Sequence, residues 1–148
     1  DKPYLVSACL AGVECRYDCQ AKPNPQLIEW VEKGEALAVC PEELGGLPTP
    51  RPPAEQMEDG RVLTIEGHDV TLNYEKGAQR ALELAKSHGV KKAYLKGKSP
   101  MCGVGQIYDG SFQGQTTQGD GKFAKSLKDA GIETIETEPA EKFDKPNA

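Results

Sequence analysis

The chain is short of most features that give a function away. No apolar run in its 148 residues approaches the ~20 needed to span a bilayer, so a membrane role is not expected. There is no excess of basic charge: 18 Lys and Arg stand against 23 Asp and Glu, for a net charge of −5. That balance excludes the basic footprint of a large nucleic-acid surface. No internal repeat and no low-complexity segment is present. No CxxC pair occurs, which argues against a paired-knuckle zinc site and a thioredoxin-type redox site. The two histidines, His68 and His88, are not spaced as ligands, and His68 reads as structural, near a helix start. The opening "DKPYLVSACLAG" is too short and wrongly flanked for a secretory signal, and the missing initiator Met leaves room for a removed leader. The cytoplasm is the expected compartment.

What is present fits one domain over residues 1–148, long enough to bury a real core. "PYLVSACL" (Pro3–Leu10) is a short apolar run suited to a buried strand. In "NPQLIEWVEKG", Asn24 is an N-cap with Pro25 at the first helical position; Leu27, Trp30 and Val31 form the apolar face, and Gly34 is the stop. "EALAVCPE" (Glu35–Glu42) reads as a second strand. Pro41, Pro48, Pro50, Pro52 and Pro53 then crowd a segment that is an ordered functional loop or a mobile one, with "RVLTI" (Arg61–Ile65) as one strand of a small hairpin. A helix begins at Asp69 or Thr71, with Ala78, Ala81, Leu82 and Ala85 inward and Gly89 as its stop. "KKAYLKG" (Lys91–Gly97) is strand-like. The glycine-rich stretch after it leads to a helix with Phe123, Leu127 and Ala130 inward, and "IETIET" closes as a last strand. Strands alternating with helices predict a three-layer, Rossmann-like α/β sandwich with a largely parallel sheet.

In such sheets ligands bind beyond the carboxyl ends of the strands. Cys9, Cys40 and Cys102 each fall at or just past the end of an expected strand, so three sequence-distant thiols converge on one sheet edge. For any one of them an inert core cysteine is an equal reading. Cys102 fits that reading least, because Gly97, Gly103 and Gly105 surround it in a loop with little core to join. Cys9, Cys15 and Cys19 do not match ferredoxin spacing. Three dispersed thiolates suit a cubane iron–sulfur cluster held at three irons, its fourth left open to substrate.

Three blocks in order, "SACLAGVECRYD", "CPEELGGLPTPRPPAE" and "LKGKSPMCGVGQIYDGSF", resemble the thiouracil desulfidase family, once known as the domain of unknown function 523. The resemblance runs on through "GHDVT" and the following helix and covers nearly the whole chain. It implies a [4Fe-4S] enzyme that removes sulfur from thiolated uracil without net redox change, with Cys9, Cys40 and Cys102 as ligands and one iron open to the substrate's sulfur. Substrate would be a small thiolated base or nucleotide, 2- or 4-thiouracil or 4-thiouridine monophosphate, and iron–sulfur assembly machinery is implied as a partner.

Beside those thiols, Glu42 is placed to activate water and Ser99 to relay a proton, with Glu43 the rival of Glu42 and a loop-capping role the alternative for Ser99. Arg51, set by rigid prolines, can take a uracil carbonyl or a phosphate, or else tie to Glu55 at the surface. Arg16 and Tyr17 shape the pocket behind Cys9, and Gly103 and Ser111 offer backbone amides to substrate. Lys96 and Lys98 are further cations for a phosphate. The sequence departs from the family where its "CRYDG" glycine is replaced by Cys19; Cys15 is not counted as a ligand. A non-enzymatic iron–sulfur or sulfur carrier or sensor, and a redox protein using Cys15 and Cys19, are the competing functions.

Overall fold

The computed structural model describes residues 2–13 and 23–137. Four parallel strands form the central sheet: β1 (Tyr4–Ser7), β2 (Ala36–Val39), β5 (Lys92–Lys96) and β8 (Glu133–Thr137), in the order β2-β1-β5-β8. The chain steps from β1 to one side and later returns to its other side, so the topological switch point lies between β1 and β5. Helices cover both faces, as expected of a three-layer α/β sandwich.

α1 (Pro25–Glu32) starts where the sequence places it: the Asn24 side chain accepts from the Gln26 and Leu27 amides at 3.0 and 3.3 Å. It covers the face formed by Tyr4, Val6, Ala36 and Tyr94, where Trp30 packs tilted against Tyr4 and edge-on to Tyr94, each 5.0 Å away, ring centre to ring centre. On the other face α3 (Thr71–Ser87) and α4 (Lys122–Asp129) pack on Leu5, Ala93 and Leu95. The stripe Ala78, Ala81, Leu82 and Ala85 is buried there with Phe123 and Leu127. Ala130, expected inward, is exposed beyond the end of α4, and Ala124 takes the inner position.

Two strands are shorter than their apolar runs. β1 gives way at Ala8 to a 3-10 turn over Ala8–Ala11, and β2 gives way to the one-turn helix α2 (Pro41–Leu44) with Cys40 as its N-cap. Proline at the first position of a helix and acids in its first turn explain the second change. The proline-crowded segment carries the expected hairpin, β3 (Ala54–Gln56) with β4 (Val62–Thr64). A second hairpin, β6 (Gln106–Tyr108) with β7 (Thr116–Gln118), lies in the glycine-rich stretch where no strand was expected. Among the described residues no helix is long and apolar enough to cross a membrane.

Candidate active site

Because β1, β2 and β5 are neighbours and parallel, their carboxyl ends deliver three loops to one place. Cys9 sits in the 3-10 turn after β1, Cys40 caps α2 after β2, and Cys102 lies in the turn after β5. All three line one cavity of about 390 Å3, which Glu42, Arg51, Tyr74, Lys96 and Ser99 also reach. None of the three thiols is in a disulfide, and Cys9 and Cys102 are buried.

The Cys102 turn is built rather than loose. The Ser99 hydroxyl oxygen accepts from the Cys102 and Met101 amides at 2.7 and 3.3 Å, and its carbonyl takes the Gly103 amide at 2.9 Å. The first amides of α4, which have no partner within their own helix, donate to this turn: Lys122 to the Pro100 carbonyl and Phe123 to the Met101 carbonyl, each at 2.8 Å. Ser99 therefore caps the turn and lines the cavity at once. Its oxygen is occupied as an acceptor and its own proton stays available.

Charged groups and thiols meet at the site. The Cys40 thiol donates to Glu42 Oε1 across 3.9 Å, and Arg51 Nη2 stands 3.8 Å from Glu42 Oε2, with only 7% and 16% of those two side chains exposed. Burial pushes the Glu42 carboxyl above its ordinary range, and the Arg51 charge partly offsets this. The Cys102 thiol is held well above its usual value by burial first, then by the Glu42 charge, with the Cys9 and Cys40 thiols adding to it; a hydrogen bond from Ser7 works the other way. A thiol that resists ionising alone, as Cys102 does, gains from a metal centre that supplies positive charge. No three His, Cys, Asp or Glu side chains among the described residues are grouped as they would be around one ion. The three thiols that line the cavity are soft donors, the ligand type that iron–sulfur clusters take.

Glu42 and its neighbour part company here. Glu43 turns to the outer side, where it accepts the Thr49 hydroxyl at 2.6 Å. Thr49 in turn accepts from Arg51 Nη1 at 3.0 Å, and the Pro48 carbonyl accepts from the same nitrogen at 3.2 Å. Arg51 thus points inward to Glu42 and is not tied to Glu55. Gly103 is buried behind the turn, where a Cβ would crowd Ile107 and two carbonyl oxygens, and Ser111 is exposed and bonded to Asp109 at 2.6 Å; neither lines the cavity. Arg16, Tyr17, Cys15 and Cys19 lie outside the described residues.

Sequence reasoning passed over Ser7, Tyr74, Tyr108 and Phe112, all of which line the cavity. Two carried a signal. Ser7 stands two residues before Cys9, and Tyr74 continues the inner stripe of α3 one turn back from Ala78. Buried Tyr74 is held neutral by desolvation and then by the Glu42 charge, so its phenol remains a proton donor.

A doubly wound α/β domain with a thiol-lined cavity at its topological switch point is a ligand- or metal-cluster-binding class of protein. More particularly, the chain belongs to the 2-thiouracil desulfurase family, whose model matches residues 4–139. It is similar to the solved structure of a [4Fe-4S]-dependent thiouracil desulfidase, TudS, at 44% identity, with 92% of this chain and 91% of that one covered and a TM-score of 0.85. It is also 41% identical over 140 residues to the uncharacterized protein YbbK of Bacillus subtilis (strain 168), which covers 88% of this chain and 93% of that protein. Membership makes this a protein of a thiouracil-desulfurising enzyme family, whose substrates are small thiolated pyrimidines.

Proposed function

We propose that Cys9, Cys40 and Cys102 hold a [4Fe-4S] cluster and that the protein hydrolyses the C=S group of thiolated uracil, with water supplying the new oxygen and hydrogen sulfide leaving. The observation that carries this reading is the delivery of three thiols, from the ends of three adjacent strands, into one cavity with Glu42 and Ser99. When bound, the cluster supplies a Lewis-acidic iron, free of a protein ligand, to take the substrate's sulfur.

The chain's own residues supply the rest. Glu42 takes a proton from the attacking water; burial makes it a stronger base than a solvated carboxylate, and the Arg51 charge favours its ionised form and orients it. Ser99, whose oxygen is pinned by two amides, relays a proton as the C–S bond breaks: it gives up its hydroxyl proton and takes back the one Glu42 drew from water, so that both protons of water end on the released hydrogen sulfide. Arg51 and Lys96 line the cavity as cations for a uracil carbonyl or a nucleotide phosphate, and Arg16 and Tyr17 complete the substrate-binding set. Gly103 lets the Cys102 turn close, and Ser111 braces the loop before β7. Both free bases and 4-thiouridine monophosphate are candidate substrates, and their relative rates distinguish them.

Anaerobic reconstitution with iron and sulfide should yield a brown protein with about four irons per chain. It should release sulfide catalytically from excess thiouracil, and Cys102→Ala should lose both iron and activity. An iron-free protein that is fully active overturns the proposal, and cluster binding without turnover leaves a carrier or sensor.

A further inference from the structure

Glu55 sits in the middle of β3, opposite Leu63 of β4, and is only 8% exposed. A carboxylate is a costly occupant of a buried strand position unless its oxygens are used. Its Oε1 accepts two backbone amides of the loop between β6 and β7, Gly110 at 3.0 Å and Phe112 at 3.1 Å. The amide between them, that of Ser111, turns to Asp109 Oδ1 at 2.9 Å. Gly110 and Phe112 both have positive φ, 93° and 57°. Such a run of amides forms a nest for an anion, and here the chain fills it with its own carboxylate.

The identity of residue 112 is the informative point. Left-handed backbone is natural for glycine and unfavourable for an aromatic residue. Glycine at 112 would relieve the backbone, yet the chain keeps a phenylalanine and spends a buried charge on holding it. Phe112 lines the cavity together with Glu55, Tyr108 and Ile65. We propose that Glu55 is a positioning residue that fixes Phe112 in the cavity wall, where its ring is the face against which the flat pyrimidine rests. This rests on the thiouracil reading above and deepens it: the site selects a planar ring as well as a sulfur atom.

The test uses the cluster-loaded protein with thiouracil as substrate, following iron content, melting temperature and steady-state kinetics in Phe112→Gly, Phe112→Tyr, Glu55→Ala and the double variant. Phe112→Gly should melt no lower than wild type and keep its iron, while KM rises about tenfold or more and kcat stays within about threefold. Phe112→Tyr should restore the wild-type KM. Glu55→Ala should raise KM by a similar factor, and adding Phe112→Gly to it should raise KM no further, because both act through one ring. A folded, iron-loaded Phe112→Gly variant with wild-type KM overturns the inference. So does a fall in kcat at constant KM, or full additivity of the two losses. If Glu55→Ala does not fold, Phe112→Gly alone decides. A wild-type protein that releases no sulfide overturns the thiouracil reading itself, and this inference with it.

Discussion

Two adjacent glutamates take opposite directions at the end of β2, and the difference is worth measuring. Glu42 reaches the cavity beside Cys40 and Arg51, while Glu43 braces Thr49 on the outside. Glu42→Gln should retain its iron and lose about 100-fold or more in kcat, the span of general base catalysis. Glu43→Gln, which keeps an acceptor for Thr49, should shift unfolding free energy by no more than about 0.5 kcal/mol. Comparable kcat losses from both variants would contradict the assignment. The sequence made the cysteines legible, since strand-end placement selects Cys9, Cys40 and Cys102 without any knowledge of the site. It left the choice between the glutamates open, because the answer depends on the strand turning into a helix at Pro41. Proline at the first helical position followed by two acids was a readable sign of that turn. Arg51 is a different case. Its inward course depends on Glu43 and Thr49 meeting across a proline-rich loop, a contact with no local pattern.

Elements hold these residues through close backbone approaches. α2 crosses α3 at a pair of glycines: a Cβ on Gly77 would overlap the Pro41 carbonyl, and one on Gly45 would overlap the Asn73 carbonyl. Asn73 and Arg80 of α3 add hydrogen bonds to the Gly45 and Leu44 carbonyls at 2.9 and 2.7 Å. The crossing fixes the helix that carries Glu42 and is capped by Cys40. Gly77→Ala should therefore cost about 1–3 kcal/mol in urea unfolding, the usual range for overpacking. It should also reduce iron retention more than it reduces folded protein. Unchanged iron retention would show that α2 tolerates displacement. The main helices were legible because their apolar periodicity survives in the fold. The β6–β7 hairpin was not, since its strands are three residues long and largely exposed, leaving no alternation to read. Gly77 stands inside the inner stripe of α3, where periodicity shows burial and cannot show which backbone comes near.

For the whole molecule, the buried thiol of Cys102 in the cavity links stability to pH. In the metal-free protein the folded Cys102 thiol holds its proton more tightly than the unfolded chain does. Its contribution is fully present below the ordinary thiol value of 9.0 and is lost as pH rises from there through the raised folded value. The stability of wild type relative to Cys102→Ala should therefore fall above about pH 9, as measured by urea unfolding at a series of pH values. A difference that grows with pH would contradict the buried neutral thiol. The α/β class and the sheet edge that carries the site were open to sequence reasoning, because alternating elements and right-handed crossovers leave few topologies. The cavity's outer wall was not, being made by two small hairpins that the Glu55 carboxylate bridges.

The strand order has a last consequence, for the protein's biogenesis. Cys9 and Cys40 are brought together by the pairing of β1 with β2, but Cys102 joins them only when β5 docks on the other side of β1. No short stretch of a growing chain can assemble this trio of thiols, so a cofactor that needs all three is a late arrival, inserted into a sheet already complete as far as β5.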